Sequence, residues 1–211
     1  MAVQGFTSLY DKYYSGRGDE RLGLFKLVAE TFKIQRALYA GSFVHVTPSL
    51  IIPEVVYVDS DKQAKKAFAE MSIILDFLKT RKEYESDPQV TFHASSYIKA
   101  FDEAEKSFDL LISQYAGFVS QHCKRYLRIG GILLVNNSHG DASMAYLDED
   151  YKFVGAINHR NDRYKLTTEN LEAYFVPKKV DLDITKEFLE KYQRGIGYTK
   201  TASIYLFERI K

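Results

Sequence analysis

Cysteine is nearly missing from this chain: Cys123 stands alone among 211 residues. A single thiol excludes an intramolecular disulfide framework and any zinc site built on cysteines. Long apolar runs are missing too. None approaches the roughly 20 residues needed to span a bilayer, and no positive-then-apolar leader opens the sequence. Net charge is nearly absent, +1 from 29 Lys plus Arg against 28 Asp plus Glu. Non-specific attraction to nucleic acid needs many cations on one face, so no strong nucleic-acid partner is expected. Pairs such as Lys178-Lys179 and Lys124-Arg125 read as solvated surface. A soluble, reducing, cytoplasmic setting without a membrane partner follows as the expectation. Tryptophan is absent, but 16 Tyr and 14 Phe supply aromatic area for a core and for pocket walls.

No repeat, low-complexity tract or Pro/Gly/Ser-rich linker interrupts the chain, so one domain over 1–211 is expected. An N-terminal helical segment spans about 1–34, with Leu22, Phe25, Val28 and Phe32 on one stripe. The polar break Ser15-Gly16-Arg17-Gly18-Asp19 favours a turn. Short apolar runs then mark strands at Ala37–Ala40, Val55–Val58, Val90–His93, Phe108–Ser113 and Ile132–Val135. Between the second and third, Ala64, Ala67, Phe68, Met71, Ile74, Leu75 and Leu78 repeat at helical spacing. Thr47-Pro48 reads as an N-cap and first helical position. A short helix is expected around Phe101 and Ala104, and another through Val119, Cys123, Tyr126 and Leu127, ending before Gly130-Gly131.

From about 138 to 200 the pattern changes to a hairpin and helix elaboration. Met144–Leu147 and Tyr151–Ile157 read as hairpin arms around Asp148-Glu149-Asp150. Helical patterns follow at Leu171–Phe175 and Ile184–Tyr192, and Ser203–Phe207 closes the chain as an edge or inserted strand. Apolar strands alternating with helices predict an α/β fold: a Rossmann-like, mostly parallel sheet with helices on both faces and an antiparallel C-terminal strand.

Open α/β sheets bind ligands beyond the carboxyl ends of their strands. The residues to watch are therefore Tyr39–Ser42, Asp59–Asp61, His93–Ser96, Ser113–Gly117 and Asn136–Asp141. A glycine after the first strand permits positive φ and close backbone approach. An acid ending the next strand can accept two ribose hydroxyls.

Over roughly Gln35 to Asn137 this series resembles the motifs of class I S-adenosylmethionine-dependent methyltransferases. Tyr39-Ala40-Gly41-Ser42 stands at the family's glycine-rich first motif, and Val55–Asp61 is similar to its second strand and ribose-binding acid. Phe92-His93-Ala94-Ser95-Ser96 sits at the adenine-contacting motif. Phe108–Gln114 resembles the strand beside the transferred methyl, and Leu127–Val135 the helix end, Gly-Gly and fifth strand. The resemblance implies S-adenosyl-L-methionine as cofactor, held by Tyr39, Gly41, Ser42, Asp59, Ser60, Ser95, Ser96 and Ser113. It places Gln114 and Tyr115 at the reacting centre. His139 and Asp141, just after the fifth strand, read either as a base and its orienter or, for the histidine, as a polar loop residue.

Three departures stand out. Gly41 is the one glycine in the first motif, with Phe43 and His45 at later small-residue positions. Ser95 replaces a common Asp. Ser113-Gln114-Tyr115-Ala116 lacks the Asn/Asp-Pro-Pro-aromatic sequence of many nucleic-acid and amino-group methyltransferases. Asp61 reads as a helix cap, and Arg17 and Arg21 as surface or as anion ligands. No pair of the five His has tight metal-ligand spacing. The leading function is methyl transfer to an N or O of an unidentified acceptor. The alternative is a non-catalytic cofactor-binding or scaffolding protein on the same fold. A dinucleotide oxidoreductase ranks last because no G-x-G-x-x-G follows the first strand.

Overall fold

The computed structural model describes residues 5–15, 20–161, 163–179 and 183–211. The chain divides into two compact units, Met1–Phe101 and Asp102–Lys211. The expected turn at Gly16–Asp19, Arg17 included, lies outside the described residues.

The first unit opens with helices α1 (Phe6–Tyr13) and α2 (Leu22–Phe32), followed by β1 (Arg36–Ala40) and β2 (Glu54–Val58). Then come α3 (Lys62–Ala69), α4 (Met71–Lys79) and β3 (Gln89–His93). The strands run in the order β3-β2-β1 and pair in parallel, with Tyr39 beside Tyr57 and Tyr57 beside Phe92. Four successive residues are buried in both β1 and β2. Successive side chains leave a strand on opposite faces, so unbroken burial means that both faces are covered. β3 is half-exposed along its length. The helix expected through Ala64–Leu78 breaks at Glu70 (φ −93, ψ 48), so α3 and α4 replace one long helix. Asp61 caps α3 as expected, its Oδ1 accepting the N–H groups of Gln63 (2.7 Å) and Ala64 (3.0 Å). Thr47 is not a cap. It lies inside a 3-10 turn, Thr47–Leu50, and its Oγ1 meets the Tyr10 hydroxyl at 2.8 Å.

The second unit contains β4 (Phe108–Ser113), α5 (Val119–His122), β5 (Leu127–Val135) and α6 (Asp141–Tyr146). It continues with β6 (Tyr151–Arg160), β7 (Arg163–Thr167), α7 (Lys186–Tyr192) and β8 (Ile204–Arg209). The strand order is β4-β5-β8-β6-β7. β4 and β5 are parallel, whereas β8 runs antiparallel to both β5 and β6. The expected antiparallel C-terminal strand is thus inserted rather than at an edge. Leu110, Leu111 and Ile112 are fully buried, each stabilising the fold by roughly 1.5–3 kcal/mol.

Three local features differ from expectation. No helix forms around Phe101 and Ala104. The helix expected up to Leu127 stops at His122, a 3-10 turn covers Lys124–Tyr126, and Leu127 already belongs to β5. Gly130-Gly131 consequently lies inside the strand as a bulge: Phe108 pairs Leu127, but Leu110 pairs Ile132. Gly130 takes φ 75, and a Cβ on Gly131 would stand 2.8 Å from the Arg128 carbonyl oxygen. The hairpin is β6–β7 rather than Met144–Ile157, because Met144 sits in α6 and the turn residue Asn161 adopts φ 51.

Candidate functional site

In the first unit, the loop after β1 turns at Gly41 (φ 68), whose N–H reaches the Val58 carbonyl at 2.8 Å. Phe43 also adopts positive φ, 49°, and donates its N–H to Asp59 Oδ2 at 2.7 Å. The other oxygen of Asp59 accepts the Asp61 N–H at 2.8 Å. Asp59 therefore pins the β1 loop to the end of β2. A carboxylate offers about four lone-pair sites, so these two bonds leave acceptor capacity for hydroxyl donors.

Beneath this loop lies an aromatic cluster that sequence reasoning did not find. His45 is buried and stacks on Tyr14 at 4.4 Å between centroids. Burial pushes its pKa down to about 3, with Arg21 acting in the same direction, so the ring is neutral. Its Nε2 lies 2.9 Å from the Glu20 carbonyl, which can only accept. Nε2 therefore carries the proton, and Nδ1 accepts from the Tyr39 hydroxyl at 3.1 Å. The bulk at the later small-residue positions is thus a built contact: His45 ties β1 to the segment between α1 and α2. The histidine at an expected small-residue position was the available signal.

The remaining residues of this half differ in character. Ser42 is buried and its hydroxyl donates to the Phe43 carbonyl at 3.3 Å, whereas Ser60 is exposed. Ser96 Oγ accepts the Ile98 N–H at 3.4 Å. Ser95 Oγ is buried and has no hydrogen-bond partner among the described residues.

In the second unit, the end of β4 carries Ser113, Gln114 and Tyr115. Gln114 is 3% exposed, yet among the described residues neither its Nε2 nor its Oε1 has a hydrogen-bond partner. Leaving such groups unmet costs about 1–3 kcal/mol each, so both atoms of the amide call for a partner. Tyr115 projects from the same loop at φ 55 and is 64% exposed. Asn136, at the end of β5, accepts the N–H groups of Tyr115 (3.4 Å) and Ser138 (3.3 Å) on one oxygen. It thereby links the loops after β4 and β5.

Asp141 is turned inward, away from the role suggested beside His139. It is buried at the start of α6, where Oδ2 accepts the Ser113 hydroxyl at 2.5 Å. Both of its oxygens face the Ser120 N–H, at 3.2 and 3.3 Å. Burial pushes its pKa up to about 6, against these bonds, which favour the ionised form. His139 is exposed, and its Nδ1 lies 3.0 Å from Ser138 Oγ. Cys123, the single cysteine of the sequence, is buried. Among the described residues no group of three His, Cys, Asp or Glu side chains could hold a metal ion, and no helix is long and apolar enough to cross a membrane.

No protein-family model matches the chain, and no curated protein matches it. Solved structures do. A methyltransferase from Geobacter sulfurreducens is 11% identical over 98% of this chain and 86% of its own, with a TM-score of 0.50. The N-methyltransferase NodS from Bradyrhizobium japonicum is also 11% identical, over 96% of this chain and 99% of its own, at TM-score 0.50. The mostly parallel α/β fold of this chain is thus shared with these two methyltransferases.

Proposed function

We propose that this chain is an S-adenosyl-L-methionine-dependent methyltransferase that transfers a methyl group to an N or O of its acceptor. The observation that carries the reading is the buried, unpartnered amide of Gln114 at the end of β4, on a fold shared with methyltransferases. When bound, the cofactor supplies a sulfonium methyl with a good leaving group, so the protein has mainly to position and orient.

The residues present fit that group. In the first unit, the positive φ of Gly41 keeps the Tyr39–Ser42 backbone open to close approach. Asp59 retains acceptor capacity for ribose hydroxyls, and the unpartnered Ser95 hydroxyl, with Ser60 and Ser96, suits the polar edge of the adenosyl group. In the second unit, Ser113 donates its one hydroxyl hydrogen bond to Asp141, so towards a ligand its oxygen acts as an acceptor. Gln114 both donates and accepts, which orients an acceptor N or O without charge. The exposed Tyr115 ring offers an electron-rich face, and His139 takes the acceptor's proton where one must leave. A cytoplasmic location belongs to the same reading and is supported by the scarcity of cysteine, Cys123 alone in the sequence.

One observation favours a second reading, cofactor binding without turnover: both oxygens of Asp59 already serve the chain's own backbone. Calorimetry with S-adenosylmethionine, S-adenosylhomocysteine and NAD tests the shared part of both. Either sulfur compound should bind and NAD should not; NAD binding alone would overturn both readings.

A further inference from the structure

The N-cap of α7 is Thr185, whose Oγ1 accepts the Phe188 N–H at 3.1 Å. Helical periodicity then sends Leu189 to the core, where it is fully buried. It leaves Phe188 and Tyr192, one turn apart, stacked at 5.2 Å with planes 21° from parallel. Gln193, at φ 48, ends the helix and turns the chain into Arg194. Phe188, Lys191, Tyr192 and Arg194 line a hollow of about 400 Å³, within the roughly 300–1,000 Å³ typical of small-molecule sites.

Lys124 and Lys186 both reach Asp148, but Lys191 and Arg194 have no ion-pair partner among the described residues. The wall is also fixed against the loop after β5. The Gly195 N–H donates to the Ser138 carbonyl at 3.2 Å, and Asn137 Nδ2 to the Ile196 carbonyl at 3.4 Å. A Cβ on Gly195 would stand 2.0 Å from the Asn137 oxygen, so the two segments touch backbone to backbone.

We propose that this hollow binds a planar aromatic anion, a ring carrying a carboxylate or phosphate, and that such a compound is the methyl acceptor; the second clause rests on the methyltransferase reading. The ring extends the Phe188–Tyr192 stack. The two cations hold the anionic group, with the Arg194 guanidinium matching its paired oxygens in a fork.

The test is ligand-observed NMR on the full chain without cofactor, using 4-hydroxybenzoate, phenyl phosphate and the neutral 4-hydroxybenzyl alcohol. At least one anion should bind about fivefold or more tightly than the neutral ring, on the scale of an exposed charge pair. The two anions distinguish carboxylate from phosphate. Lys191→Ala/Arg194→Ala should erase the preference with circular dichroism unchanged, as should raised salt. Phe188→Ala should weaken charged and neutral rings alike. Equal binding of neutral and anionic rings, no binding of any, or an unchanged double variant would overturn the site. S-adenosylhomocysteine calorimetry on the same protein separates the two claims. Cofactor binding without anion binding removes this site alone, and anion binding without cofactor binding removes the methyltransferase reading and leaves the site.

Discussion

Ser113, the last residue of β4, donates its hydroxyl to the buried carboxylate of Asp141 over 2.5 Å. The same carboxylate holds the Ser120 N–H in the first turn of α5. Asp141 thus fastens both ends of the segment that carries Gln114 and Tyr115.

This carboxylate should show itself in the pH dependence of stability. Its folded pKa of about 6 lies above the ordinary 3.8. The contribution is therefore complete below pH 4 and is lost as pH rises through 6, by about 3 kcal/mol. His45, with a pKa pushed down to about 3, acts oppositely: its contribution is lost as pH falls below 6.5. So does Asp148, where burial is outweighed by the Lys124 ammonium and neighbouring donors, which hold it below the usual carboxylate range. Both cancel in a comparison of wild type with Asp141→Asn. Urea unfolding at pH 4, 5, 6 and 7 should show wild type losing ground to the variant as pH rises. Parallel stability curves would contradict this assignment.

Asp59→Ala should weaken S-adenosylhomocysteine binding by about 10- to 100-fold, the scale of a lost charged hydrogen bond. Stability should fall by roughly 1 kcal/mol, since the N–H groups of Phe43 and Asp61 lose their acceptor. Unchanged affinity with reduced stability would confine Asp59 to pinning the loop.

Gly131→Ala tests the bulge in β5. The added Cβ would lie 2.7 Å from Leu127 Cδ1 and 2.8 Å from a backbone oxygen that cannot easily yield. Such overpacking costs about 1–3 kcal/mol, lowering Tm by several degrees, at roughly 2–4 °C per kcal/mol. Gly197→Ala is the matched control, its Cβ meeting only Lys178 Cδ at 3.9 Å. Equal melting of both variants would remove the packing argument.

The strands were the readable part of this fold because burial on both faces leaves unbroken apolar runs, as in Val55–Val58 and Leu110–Ile112. The break at Glu70 was hidden because neither Gly nor Pro marks it. α6 was mistaken for a strand arm because six residues are too few to display a helical period. At the candidate site, Gln114, Ser95 and Asp59 could be picked out by their strand-end positions. The direction in which Asp141 points could not, because it depends on Ser113 and Ser120, distant in sequence and brought close only by the fold. The His45–Tyr14 stack was hidden for the same reason.

Methyl transfer at the loop after β4 is tested most directly by a labelled-methyl assay. S-adenosylmethionine bearing a labelled methyl is incubated with cell extract and either wild type or Gln114→Ala/Tyr115→Ala. Wild type should transfer label, and the double variant should lose turnover while its S-adenosylhomocysteine affinity changes little, because these side chains position the acceptor rather than the cofactor. Equal transfer by both proteins would contradict the placement of the reacting centre, and no transfer by wild type despite cofactor binding would leave the binding-only reading in its place.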